Sequence, residues 1–137
     1  MLIRTFDLND QPAVIQLWQQ NNLVVPWNDP IKDIEIKLNH NDDLFLVGER
    51  DGVIIATLMG GYDGHRAWVN YLAVNTSFQH RGYAREMLAY FESQLKQLNC
   101  PKINLLVRSN NQEIIAFYEH LGFKQDACVS LGKRIDG

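Results

Sequence analysis

Runs of apolar positions along the chain switch several times between the spacing of a strand and that of a helix, and each switch is marked by a capping or turn residue. Leu2 to Phe6 reads as a first strand ended by Asp7. Asp10 then caps a helix with Pro12 in its first turn, and Val14, Leu17 and Trp18 recur at helical spacing. Asp29 followed by Pro30 opens a second helix with Ile31, Ile34 and Leu38 on one face. Leu44 to Glu49 and Val53 to Tyr62 are β-rich runs joined through Arg50-Asp51-Gly52, where Asp-Gly suits a tight hairpin.

Past Gly60, Gly61 and Gly64, Trp68 to Val74 reads as a mostly buried strand, and a polar loop runs from Asn75 to His80. A long helix from about Gly82 to Leu98 carries Met87, Leu88, Phe91, Leu95 and Leu98 as its apolar stripe. Cys100-Pro101 ends it, and Ile103 to Val107 forms a short strand. Asn110 and Asn111 cap a further helix bearing Ile114, Ile115, Phe117, Tyr118 and Leu121, which Gly122 stops. Phe123 to Ile135 suits one or two short closing strands. The expected product is a mixed α/β fold in one domain spanning residues 1–137.

Charge and cysteine usage narrow the function classes. Thirteen basic against sixteen acidic residues give a net charge of −3, without the basic footprint from which most nucleic-acid affinity comes. Cys100 and Cys128 have neither disulfide-framework nor metal-ligand spacing and read as reduced structural thiols. Neither a signal-like N-terminus nor a membrane-length apolar run is present. The expectation is a cytoplasmic protein that uses no metal and binds neither nucleic acid nor membrane.

The stretch richest in chemistry is Gln79-His80-Arg81-Gly82-Tyr83-Ala84, between a buried strand and a long helix. First-turn amides of a helix lack intrahelical partners and sit at the positive end of its dipole, a geometry that receives phosphate. Gly82 lets the backbone approach a ligand, and Arg81 and Arg85 add mobile charge. An ordinary strand-to-helix turn would use the same residues. The loop fits neither the Walker A nor the dinucleotide-binding pattern.

Tyr71-Leu72-Ala73-Val74 followed by that loop resembles the acetyl-CoA motif of the GNAT family of N-acetyltransferases, [QR]-x-x-G-x-[GA] after a strand. Asn111 through Ala116-Phe117-Tyr118-Glu119-His120-Leu121-Gly122-Phe123 resembles the family's second motif, in the family's order. Pro26 to Pro30, Met59 to Arg66 and Ser130 to Arg134 are similar to the small bacterial YpeA-type branch.

The resemblance implies the acyl-CoA N-acyltransferase fold: a central, mixed, mostly antiparallel sheet, splayed at the acetyl-CoA site and flanked by about four helices. It implies that the strands ending at Val74 and near Val107 part there. Leu72, Ala73 and Val74 would pair with the pantetheine arm, and the Leu72 N–H would face the oxyanion. Gln79, His80, Arg81, Gly82, Tyr83, Ala84 and Arg85 would hold the pyrophosphate. Asn111 would touch the pantetheine arm, and Tyr118 would be the general acid at the departing sulfur. On the residues alone, Tyr118 reads equally as a packing residue with an outward hydroxyl. Trp27 and Asp29 fall where the family builds its acceptor wall, although Asp29 also suits a helix cap.

Acetyl-CoA is thus the implied co-substrate, and a primary amine, either a protein or peptide N-terminus or a small amine, the implied acceptor in a ternary complex. The usual carboxylate positions carry Asn70 and Leu106, so the base is not among them. Glu49, Asp63, His65 and His40 are the candidates for a water-mediated route. An α-amine, with a pKa about 2.5 units below that of lysine, costs about 3.4 kcal/mol less to deprotonate and suits a site without a strong base. The departure also admits a second reading, a CoA-binding regulatory module without turnover. An exposed closing strand would be the place for a homodimer.

Overall fold

The computed structural model describes residues 1–137. Its five-stranded sheet has the order β1 (Leu2–Thr5), β2 (Phe45–Arg50), β3 (Val53–Tyr62), β4 (Ala67–Val74), β5 (Ile103–Leu105). The first four strands are antiparallel neighbours, and β5 pairs parallel to β4. The helices are α1 (Gln11–Gln20), α2 (Pro30–His40), α3 (Tyr83–Gln97) and α4 (Gln112–His120). This is the mixed, mostly antiparallel sheet with four helices that the motifs imply. The chain divides into two compact units, Met1–Leu106 and Val107–Gly137.

Within the first unit, alternation along the strands supplies a separate apolar layer to each sheet face. Phe45, Val47, Met59 and Ala73 pack with Phe6, Val14, Leu17, Trp18 and Ile34 on the face covered by α1 and α2. Phe6 and Phe45 stack with centroids 4.4 Å apart, and Trp18 stacks on Tyr71 at 3.8 Å. The opposite face receives the buried stripe of α3, Met87, Leu88, Phe91 and Leu95. A Cβ on Gly60 would lie 2.3 Å from the Phe91 ring, so a bare backbone is what lets α3 settle on β3.

Local signals are largely realised. Asp51 and Gly52 both have positive φ, 53° and 78°, as a two-residue hairpin turn demands. Asp29 Oδ1 accepts from the amides of Ile31 and Lys32 and caps α2. Three expectations are corrected. Asp10 precedes α1 but makes no side-chain cap. It accepts instead from the Arg4 guanidinium at 2.8 and 2.9 Å and from the Asp7 amide. The inward face of α2 centres on Asp33, Ile34 and Lys37, leaving Ile31 and Leu38 exposed. Leu98 lies beyond the end of α3 and is also exposed.

In the second unit, Asn111 Oδ1 accepts from the Ile114 amide to cap α4, and Gly122 ends the helix at a φ of 97°. No strand forms over 123–135, and Val129, Leu131 and Ile135 are almost fully exposed. These apolar residues are separated by serine, glycine and basic residues and join no strand. The strand expected over Ile103 to Val107, β5, is also short, ending at Leu105.

Arg4 bridges Asp10 and Glu49 and thereby ties β1 to the start of α1 and to β2. The Arg4 hydrogen bonds hold the Asp10 carboxyl below its ordinary range. Its contribution is therefore complete above the unfolded carboxyl pKa of about 3.9 and is lost as pH falls through the lower folded value. Asp10→Asn is expected to lower stability by about 1–2 kcal/mol at neutral pH, the charge-assisted range discounted for the partly exposed Arg4. In urea titrations the gap from wild type should close as the pH is taken below about 4.

Candidate active site

The ladder between β3 and β4 is interrupted at Tyr71 and Leu72. Thr57 pairs with Ala73 and Met59 with Asn70, so Leu58 alone faces both Tyr71 and Leu72, a β-bulge. Tyr71 sits in the left-handed region at a φ of 50°, costly for an aromatic residue, and three contacts hold it there. Its ring stacks on Trp18. Its carbonyl accepts from Thr57 Oγ1 at 2.8 Å, and that hydroxyl accepts in turn from Trp18 Nε1 at 2.9 Å. Its own hydroxyl donates to Asp33 Oδ2 at 2.6 Å. Burial, reinforced by the Asp33 carboxylate, raises the phenol pKa above its ordinary value.

On the other side of β4, pairing with β5 covers only Ala67–Val69. Asn70 to Val74 therefore present an edge with no strand beside it, the parting expected between these strands. The Val74 carbonyl is already committed, accepting from Asn21 Nδ2 and Gln79 Nε2. Leu72 and Ala73 are the remaining positions of the motif on this edge.

The edge leads through a short turn, Thr76–Phe78, into the loop before α3. Gln79 also donates to Asn21 Oδ1, which fastens the loop to the end of α1. His80 and Gly82 have φ of 64° and 85°. Gly82 is the N-cap and supplies no side-chain acceptor, and the first helical bond runs from the Glu86 amide to Gly82 O. The amides of Tyr83, Ala84 and Arg85 come before that bond, as orphan donors at the positive end of a fifteen-residue helix. A Cβ at Gly82 would meet nothing within 4 Å, so the space before these amides is open.

Arg81 and Arg85 are exposed beside them. Arg50 joins the group: its guanidinium donates to the Tyr83 hydroxyl at 2.9 Å and lies 5.7 Å from the Phe78 ring centroid, with Arg81 5.4 Å from the same centroid. Arg50 ends a strand that precedes the loop by thirty positions in the chain. No local pattern links the two.

A cleft of about 800 Å³ opens between α2 and the sheet, with Asp33, Lys37, His40, Asn70 and Tyr71 among its walls. Asn28 lines it, whereas Trp27 is exposed beside it and Asp29 is occupied in capping α2. Among the candidate bases, Glu49 is bound by Arg4 and Asp63 accepts from the amides of His65 and Arg66 in its own turn. Exposed His40 reaches the cleft, 3.7 Å from Asp42. In the second unit, Tyr118 lies edge-on between Phe117 and Phe123, with centroids at 5.2 and 5.5 Å. Burial pushes its phenol up to about 12, so it is a neutral donor throughout the physiological range.

A model of the acetyltransferase (GNAT) family matches residues 12–123. An acetyltransferase of Pectobacterium atrosepticum is 48% identical over 98% of this chain and 96% of its own length. Among solved structures, Ard1 from Thermoplasma volcanium has a TM-score of 0.81 at 24% identity, over 92% of this chain and 84% of that one. The ribosomal-protein-S18-alanine N-acetyltransferase from Escherichia coli has a TM-score of 0.76 at 22% identity, over 92% and 79%. The two structures share the fold, and the family match with its full-length relative assigns the chemistry: this chain belongs to the GNAT family of acetyltransferases, whose acyl donor is acetyl-CoA.

Proposed function

We propose that residues 1–137 act as one N-acetyltransferase domain that transfers the acetyl group of acetyl-CoA directly to a primary amine, a protein or peptide N-terminus or a small amine, within a ternary complex. The observation that carries this reading is the continuity of the open Asn70–Val74 edge with the uncapped start of α3. One element pairs with an extended amide-bearing arm, and the other receives its pyrophosphate a few residues later.

Each residue then has a defined task. The amides of Tyr83, Ala84 and Arg85 hold the pyrophosphate, with Arg81 and Arg85 adding charge and Gln79, His80 and Gly82 shaping the loop. Leu72 and Ala73 pair with the pantetheine arm, and Asn111 touches it. The Leu72 N–H, next to the bulge, stabilises the oxyanion that forms as the amine nitrogen bonds to the thioester carbon. Tyr118 donates toward sulfur as the C–S bond breaks. The nitrogen releases its proton to water, the product is an amide, and the CoA thiolate takes a proton from water and leaves as the thiol. With neither Asn70 nor Leu106 able to act as a base, an α-amine is the favoured acceptor class.

Thiol release from acetyl-CoA across a panel of amines tests the assignment. Gly82→Val places a β-branched residue at positive φ, a conformation that costs about 1–2 kcal/mol and misaims the first-turn amides. It is expected to raise the KM for acetyl-CoA about tenfold. A rise in melting temperature with CoA but no acetylation of any amine would favour the regulatory binding module instead.

A further inference from the structure

The cleft between α2 and the sheet contains a carboxylate whose charge the fold leaves unbalanced. Asp33 is half-buried, and Lys37 stands one helical turn further along α2, the position from which a lysine ordinarily neutralises an aspartate. Lys37 Nζ is turned away and bonds Asp42 Oδ2 at 2.7 Å. His40, the other basic residue at the cleft, leans toward the same Asp42. The partner Asp33 does have is neutral: the Tyr71 hydroxyl, which fixes Oδ2 and leaves Oδ1 for another donor.

A half-buried carboxylate with no cation paired to it is held at a cost unless a ligand supplies one. Besides Lys37 and His40, both turned to Asp42, the polar walls are the side-chain amides of Asn28, Asn39 and Asn70, and Leu23, Ile36 and Met59 provide apolar surface. The cleft therefore combines one unpaired carboxylate, a lysine already paired with Asp42, neutral hydrogen-bonding groups and room for an aliphatic side chain. Tyr71 also forms the β4 bulge, so the anchor is tied directly to the strand edge assigned to the acyl donor.

We propose that Asp33 is the residue that selects the acceptor: it docks the ammonium form of an incoming α-amine, which releases one proton to water before the nitrogen attacks, and it favours an amine whose neighbouring carbonyl is neutral, as in an amino-acid amide or a chain N-terminus, over a free amino acid. The proposal rests on the acetyltransferase reading and adds to it the charge class of the acceptor. Tyr71 is a positioning residue that holds the carboxylate toward the cleft. The charge difference is the basis of selection, because a free amino acid brings its own carboxylate close to Asp33.

Leucinamide and leucine are suitable probes, since they share the side chain and α-amine and differ at the carboxyl end, a neutral carboxamide against a carboxylate. Binding of each is measured at neutral pH by NMR titration, with and without saturating CoA, so the answer does not depend on turnover. Wild type is expected to bind leucinamide at least tenfold more tightly than leucine. Asp33→Asn keeps an acceptor for the Tyr71 hydroxyl while removing the charge; it should weaken leucinamide about tenfold and bring the ratio close to one. The melting-temperature shift produced by CoA should be unchanged. Tyr71→Phe should weaken leucinamide less than Asp33→Asn does.

Unchanged leucinamide binding in Asp33→Asn, or no binding of leucinamide by the wild type, overturns the role of Asp33. Failure of CoA to bind, or of any amine to be acetylated, overturns the acetyl-transfer reading separately. The amine titration without CoA still decides the cleft's preference in that case.

Discussion

Tyr118→Phe is expected to lower kcat for acetyl transfer about a hundredfold, at the lower end of what a positioned proton donor contributes. The KM for acetyl-CoA should change little. A departing CoA thiolate resembles a cysteine thiolate, with a pKa of about 8.5. The Tyr118 phenol, pushed up to about 12 by burial, is the weaker acid of the two. In the proposed mechanism its contribution is a hydrogen bond that strengthens as negative charge develops on sulfur, the phenol keeping its proton throughout. The rate should therefore show no alkaline loss from this group until well above pH 10. Folding should scarcely register the change, because both flanking rings contact the retained ring. Equal rates for wild type and variant would remove Tyr118 from the mechanism.

The largest stability effect is expected at Trp18, which is completely buried. Trp18→Ala empties a site walled by Tyr71 and Phe45 and should cost about 3–5 kcal/mol, a large part of the 5–15 kcal/mol that holds a domain of this size. The urea midpoint should fall accordingly. Trp18→Phe separates packing from polarity: it keeps an aromatic ring and removes the Nε1–H that Thr57 accepts. Its expected cost is smaller, about 1–3 kcal/mol for a buried hydroxyl that loses one partner. Thr57 also holds the Tyr71 carbonyl, so Trp18→Phe should raise the KM for acetyl-CoA although Trp18 contacts no part of the loop. A stability loss with an unaltered KM would show that the bulge stands without this support.

What was legible in the sequence was local. Asp29-Pro30, Asp51-Gly52 and Asn111 act through neighbouring backbone, and each performs in the fold the task its chemistry suggests. The uncapped start of α3 was legible for the same reason, since Gly82 and the first turn of the helix are contiguous. Asp10 is different: its expected cap is displaced by Arg4, which also meets Glu49 forty-five positions away. Asp33 and Lys37 have the spacing of a routine helix ion pair, and only the folded chain shows that Asp42 has taken the lysine. The bulge was hidden because Tyr71-Leu72-Ala73-Val74 has the composition of an unbroken strand. Its irregularity depends on Thr57 and Trp18, one strand and one helix away. For 123–135, apolar composition suggested pairing that the fold does not supply.

Tyr71 serves both halves of the proposed site: its backbone forms the kink beside the donor edge, and its hydroxyl steadies the carboxylate in the acceptor cleft. A substitution there alters two recognition problems at once, and improvement in one is liable to be offset in the other. Adaptation to a new acceptor is therefore channelled away from the strand. Asn28, Ile36 and Asn39 line the cleft from the preceding loop and from α2, with no part in the bulge or the phosphate loop. They are the positions at which descendants of this chain can diverge in acceptor while keeping the same donor, and at which a designed library would do best to begin.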